Sequence, residues 1–148
     1  MDNHFGDIYV EDINTFCGAV RYTFRRLKEK YPRIPIIAIL PLHTYPITAY
    51  PLWSEIRYAT QNDESTVITP RRTTLDNKTF YDYRNAIRDI AELYGIYSID
   101  TFKIGYSAVL STDKSAYYAE GLHPNALGYK LLGQFIYKQT IDIFINRA

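Results

Sequence analysis

Apolar side chains recur every three or four positions in three stretches of the sequence, which is the spacing of an amphipathic helix. The first stretch covers residues 12–31, and Pro32 ends it because proline cannot continue a helix. The second covers residues 79–94 and is followed by Gly95, a residue typical of helix C-termini. The third covers residues 125–146. The pattern therefore predicts three helices.

The periodicity also predicts which side of the first and last helices faces a core. The side chains of the first helix that are predicted to face the core are Ile13, Phe16, Cys17, Val20, Phe24, Leu27 and Tyr31. For the last helix they are Leu127, Leu131, Leu132, Phe135, Ile136, Ile143 and Phe144.

Two short apolar runs between the helices predict strands. Residues 36–40 form an uninterrupted apolar run, as in strands buried on both faces of a parallel sheet, and residues 97–100 give a second strand. The order helix, strand, helix, strand, helix predicts the α/β class with parallel strands. Because two strands alone make a poor sheet, we expect the edge of the first strand to pair with further chain, or with a second copy in a homodimer.

Residues 42–78 carry three prolines and several aromatic side chains, with one strand-like run at residues 66–68. Loops of this length in compact domains are usually functional or partly disordered. We therefore expect this segment to be an insertion in a single domain of residues 1–148, and Tyr45 and Trp53 to contact substrate.

Composition excludes several classes of protein. Seventeen basic and sixteen acidic side chains, without a long block of one sign, argue against a nucleic-acid partner. No apolar run approaches the length of a membrane span. The lone Cys17 excludes an internal disulfide and lies on an apolar helix face, where a packed, inert thiol is expected. The first residues lack the features of a signal peptide, which indicates the cytoplasm if Met1 is the native start.

A histidine lies where the third helix is predicted to begin. Glu120 precedes His123 by three residues, and Gly121 and Pro124 keep the segment out of helical geometry until Asn125, a good N-cap residue. A carboxylate that fixes the orientation and tautomer of an imidazole prepares it to act as a base. The segment therefore indicates two members of a catalytic triad, although a histidine that only packs the helix start is an alternative.

This segment resembles the last sequence block of the SGNH (GDSL-type) hydrolases, in which Asp-x-x-His precedes a proline and a glycine-containing helix. Glu120 stands at the position of that aspartate. Residues 31–41 are similar to the family's helix end, central strand and proline, and residues 95–100 to its final strand. Residues 1–6 resemble its Gly-x-Asn-Asp block, with the first glycine absent and His4 in place of the acid.

The resemblance implies a three-layer, doubly wound, flavodoxin-like fold of which this chain is the C-terminal part. It also implies an ester hydrolase that removes acyl groups from carbohydrates or lipids. His123 would then be the base, Glu120 its orienting carboxylate and Asn3 an oxyanion donor. No cofactor is expected, and no metal either, because Gly121 and Pro124 break the helix that a metal-binding Glu-x-x-His motif needs.

The family's Gly-Asp-Ser nucleophile block is absent from the sequence. None of the six serines lies in such a context, and each is interpreted as a loop, strand or capping residue. We therefore expect the nucleophile to come from upstream sequence or from a partner. Two alternatives are open: a non-catalytic module that binds a carbohydrate or a protein, and a truncated reading frame or proteolytic fragment.

Overall fold

The computed structural model describes residues 4–41, 76, 78, 80–101, 117 and 123–145. In these residues three helices alternate with two strands: α1 Phe16–Lys30, β1 Ile37–Ile39, α2 Phe80–Leu93, β2 Tyr97–Ile99 and α3 Ala126–Ile145. β1 and β2 pair in a parallel two-stranded sheet, so the predicted α/β class is confirmed. The strand-like run at residues 66–68, and all of the predicted 42–78 insertion except residues 76 and 78, lie outside the described residues.

The chain forms two compact units. The first contains residues 1–40 and 70–98, and the second contains residues 41–69 and 99–148. α1, β1 and α2 belong to the first unit and α3 to the second.

α1 begins four residues later than predicted, because local hydrogen bonds hold the preceding residues in turns. The Asp12 carboxylate accepts the Asn14 backbone N–H at 3.0 Å, and the Thr15 hydroxyl caps the helix by accepting the Gly18 N–H at 3.1 Å. Ile13 therefore lies outside the helix and is 60% exposed, so its predicted inward position is wrong. Tyr31 follows the last turn of the helix and is also exposed, so its predicted inward position is wrong as well.

α2 lies within one residue of its predicted bounds at each end, and Gly95 closes it as expected. Gly95 has a φ of 59°, in the left-handed region that glycine occupies without strain. Its N–H donates to the Glu92 carbonyl at 3.0 Å, and the Ile96 N–H donates to the Ala91 carbonyl at 2.8 Å. These two bonds form a Schellman motif, which satisfies carbonyls that a helix end otherwise leaves unpaired.

The core of the first unit forms where α1 meets α2. Cys17, Ala86 and Ile90 are buried at its centre, and burial raises the pKa of the Cys17 thiol to about 11. The predicted packed thiol is thus confirmed. The partly buried hydrophobic side chains around this centre are Phe5, Ile8, Phe16, Val20, Phe24 and Tyr94.

β1 departs from the prediction of a strand buried on both faces. Ile39 is 52% exposed, whereas Leu40, just beyond the strand, is 1% exposed. A parallel strand normally has both faces covered. The exposed Ile39 means that one face of β1 is incompletely covered.

The inner face of α3 is largely the one that its sequence predicted. Ile143 is buried as expected, but Leu127 and Phe144 are 45% and 40% exposed, so their predicted inward positions are wrong. Leu131, Leu132, Phe135 and Ile136 are half-buried, so the middle of the predicted inner face is confirmed. Within the described part of the chain, no helix has the length and apolar character needed to cross a membrane.

Candidate functional site

The sequence predicts five site residues, and the structure describes one of them. His123 lies in a bend before α3, and its side chain is exposed. Asn3, Tyr45, Trp53 and Glu120 lie outside the described residues. The pairing of His123 with Glu120, the oxyanion role of Asn3 and the substrate contacts of the two aromatic residues all stay predictions.

The turn that carries His123 is anchored by the next two residues of the chain. The Asn125 side-chain oxygen accepts the Gly128 N–H at 3.0 Å, which confirms that Asn125 caps α3. The Asn125 N–H donates to the Tyr117 carbonyl at 2.8 Å. Pro124 fixes one backbone torsion between His123 and this cap. The backbone that presents the imidazole is therefore well constrained.

Gly128 allows this arrangement because it has no side chain. A Cβ added at Gly128 would lie 2.2 Å from the Tyr117 carbonyl oxygen and 2.9 Å from Cβ of Pro124. Both separations are far shorter than van der Waals contact, so any larger residue must displace the Tyr117 backbone. The glycine lets residue 117 lie directly against the start of α3.

Another histidine, His4 in the first unit, is paired with a carboxylate. Nδ1 of His4 lies 3.0 Å from one oxygen of Asp76, and the other oxygen accepts the Phe5 N–H. The hydrogen bond from His4, followed by that from Phe5, holds the pKa of Asp76 below its usual value. Asp76 is therefore ionised at neutral pH and only accepts hydrogen bonds. Nδ1 of His4 must carry the shared hydrogen, which leaves the lone pair of a neutral imidazole on Nε2.

The backbone that carries His4 is attached to the start of α1. The carbonyls of His4 and Phe5 accept the N–H groups of Phe16 and Cys17 at 2.8 and 2.9 Å. These donors belong to the first turn of α1, which has no intrahelical acceptors for them. The segment thus completes the helix N-terminus and gains a fixed position in return.

Aromatic side chains pack against the segment that carries His4. The ring centroids of Phe5 and Phe16 lie 6.2 Å apart, and Tyr83 of α2 packs edge-on against both rings at 5.1 and 4.6 Å. The Lys78 ammonium lies 4.7 Å from the centre of the Phe5 ring, within the range of a cation–π contact. The His4 backbone therefore rests on a packed cluster, while 70% of its side chain is exposed.

Sequence reasoning missed the His4–Asp76 pair. The two residues are 72 positions apart, so no local spacing connects them. The only signal was His4 itself, which replaces an acid in the block that resembles the family's Gly-x-Asn-Asp motif. Among the described residues, no three histidine, cysteine, aspartate or glutamate side chains form a group able to hold a metal ion.

Comparison with known proteins supports the fold and leaves the activity open. No family model matches the sequence, and no curated protein matches it. The chain is similar to the crystal structure of a protein from Lactobacillus plantarum, a structural genomics target, with a TM-score of 0.68 and 19% identity. A second crystal structure gives a TM-score of 0.66 and 22% identity.

These likenesses cover 97% and 91% of this chain. The chain spans only 61% and 55% of the two solved chains. At these identities the similarity concerns the fold alone. Both matched proteins thus combine an arrangement like this one with a substantial further length of polypeptide.

Proposed function

We propose that this chain provides the base-bearing part of an SGNH-type ester hydrolase, acting on acylated carbohydrates or lipids. The observation that carries the proposal is the turn with His123, held by the Asn125 cap and by the close approach of Tyr117 to Gly128. The parallel α/β arrangement and the greater length of the two similar structures support a larger, doubly wound, three-layer domain.

In this mechanism His123 removes the proton of a serine hydroxyl as the oxygen attacks the ester carbonyl. Glu120 accepts the other ring N–H and stabilises the imidazolium that forms. The Asn3 amide donates to the developing oxyanion, where a positioned donor has the largest effect on rate. His123 then returns the proton to the leaving alcohol. The serine comes from polypeptide other than this sequence, which has no Gly-Asp-Ser block.

Two preparations test the proposal: the chain alone, and the chain joined to whatever its gene encodes immediately upstream. We expect a fluorophosphonate probe to label one serine of the joined protein and none of the chain alone. In the joined protein, His123→Ala should lower ester hydrolysis at least about 1,000-fold, because a triad without its base retains little activity.

Gln134→Ala is the matched control, since Gln134 lies on the exposed side of the helix that follows His123. Its hydrolysis rate should equal that of the parent. If the joined protein contains no Gly-Asp-Ser block, or hydrolyses esters equally well with and without His123, the hydrolase proposal is wrong.

The second candidate is a binding module that keeps the hydrolase scaffold without its chemistry. The absence of a nucleophile block from the sequence favours it. In that case the chain alone binds an oligosaccharide or a protein, and binding survives His123→Ala but weakens in Trp53→Ala. Isothermal titration calorimetry with both variants separates the two candidates.

A further inference from the structure

We propose that the His4–Asp76 pair is a second reactive site, at which Nε2 of His4 takes an acyl group from activated acyl donors such as aryl esters and thioesters. The observation that carries this inference is a solvent-facing imidazole oriented by a partly buried carboxylate. The side chain of His4 is 70% exposed and that of Asp76 only 23%. The chemistry proposed here does not depend on the serine chemistry proposed above.

The position of the hydrogen on His4 makes Nε2 the reactive atom. Asp76 accepts through both oxygens, one from His4 Nδ1 and one from the Phe5 N–H. An imidazole whose Nδ1–H is held in this way has its lone pair on Nε2, as in the catalytic histidines of triads. Neutral imidazole is a nucleophile towards acyl groups that carry a good leaving group.

The carboxylate is well placed to stabilise the charge that forms on the ring. Attack by Nε2 produces an imidazolium, and an ionised partner at hydrogen-bond distance favours that charge. The His4 hydrogen bond, then the Phe5 N–H and, to a smaller extent, the Lys78 charge favour the ionised form of Asp76 and keep its pKa low. The Phe5 bond also limits rotation of the carboxylate away from His4.

The reaction balances with water as the only co-reactant. The Nε2 lone pair forms a bond to the acyl carbonyl carbon, and the bond from that carbon to the oxygen or sulfur of the leaving group breaks, so that a phenolate or thiolate departs with that electron pair. Water then attacks the acyl carbon, the carbon–Nε2 bond breaks, and the carboxylic acid leaves. The water proton neutralises the leaving group, and the ring regains its starting tautomer with Nδ1–H directed at Asp76.

The test measures p-nitrophenyl acetate hydrolysis by the full chain and by N-acetylhistidine at equal imidazole concentration. We expect a second-order rate constant at least about tenfold above free imidazole, because the carboxylate orients the ring and stabilises its charge. Intact-mass spectrometry after an acid quench should show one acetyl group per chain, located on His4 by fragmentation.

The variant His4→Gln keeps a side-chain N–H for Asp76 but has no nucleophilic nitrogen, so the excess rate and the acetyl adduct should both vanish. Asp76→Asn should lower the excess rate about tenfold, as loss of an orienting partner commonly does. His43→Ala, which removes another imidazole, is the matched control and should keep the parental rate. Circular dichroism verifies the fold of each variant.

Pretreatment with a fluorophosphonate separates this site from any serine hydrolase. The His4-dependent rate should survive it, whereas serine labelling reports only on the function proposed for His123. A parental rate equal to that of free imidazole, or an undiminished rate in folded His4→Gln, overturns the proposal.

Discussion

Replacing Gly128 with alanine should destabilise the protein, although the same change elsewhere in α3 should stabilise it. Glycine inside a helix normally costs about 1 kcal/mol relative to alanine. Gly133, also in α3, is exposed, and a Cβ added there meets nothing within 4 Å. At Gly128 the same Cβ would lie 2.2 Å from the Tyr117 carbonyl oxygen.

The two variants should therefore differ in sign. Gly133→Ala should raise the free energy of unfolding by about 1 kcal/mol. Gly128→Ala gains the same helix-propensity stabilisation of about 1 kcal/mol. The added methyl group must displace the Tyr117 backbone, however, which overpacks the contact and breaks most of the hydrogen bond from the Asn125 N–H to the Tyr117 carbonyl. With about 1 kcal/mol for the bond and about 1–3 kcal/mol for overpacking, the net loss is about 1–3 kcal/mol. The variants should thus differ by about 2–4 kcal/mol.

Urea and thermal unfolding followed by circular dichroism measure both variants directly. For a chain of this size, 1 kcal/mol corresponds to about 2–4 °C in Tm, so the two Tm values should lie about 4–16 °C apart. Equal stabilisation by both alanines would show that residue 117 does not approach α3 as closely as described. Gly128 would then not be the residue that fixes the His123 turn.

Further predictions concern the helix caps, the buried thiol and the edge of β1. Asn125→Ala should lower the free energy of unfolding by about 1 kcal/mol, whereas Asn125→Asp should keep most of the stability that the cap provides. Gly95→Ala should lower the free energy of unfolding by about 1–2 kcal/mol, because alanine is strained at positive φ. Urea unfolding measures each variant. With a thiol pKa of about 11, Cys17 should react slowly with a disulfide reagent at pH 8 until the chain is denatured. Stability should also fall between pH 9 and 11, where the unfolded thiol ionises and the folded one does not; fast labelling of folded chain would contradict the burial. If β1 pairs between copies, light scattering should show dimers that Ile39→Lys dissociates, whereas a monomeric parent at micromolar concentration would count against this contact.

The sequence was sufficient to predict the structure wherever a short local signal determines it. Gly95 marks the end of α2 because only a residue tolerant of positive φ closes a helix with a Schellman motif. Asn125 marks the start of α3 because its side chain replaces a missing acceptor. The inner face of α1 was equally clear, with Cys17 buried and Phe16, Val20 and Phe24 packed around it as the spacing predicts.

The remaining features depend on contacts between distant parts of the chain. The true start of α1 was hidden because Thr15 and Asp12 form turns that compete with helix, although the apolar spacing continues through them. Asp76 was not foreseen as a partner of His4 because 72 positions separate them. Leu127 and Phe144 lie near the two ends of α3, where the neighbouring chain, rather than the periodicity, decides which apolar side chains are covered.

The connection between α2 and β2 also restricts how this protein can vary in length. Only Tyr94, Gly95 and Ile96 separate the two elements, and the last two are bonded back to the helix. Because neighbouring strand residues point to opposite faces, one inserted residue would exchange the faces of β2 and move Ile99, which is 1% exposed, out of its buried position. Insertions and deletions among related sequences should therefore avoid residues 94–96, which makes this connection a fixed reference point for aligning distant relatives.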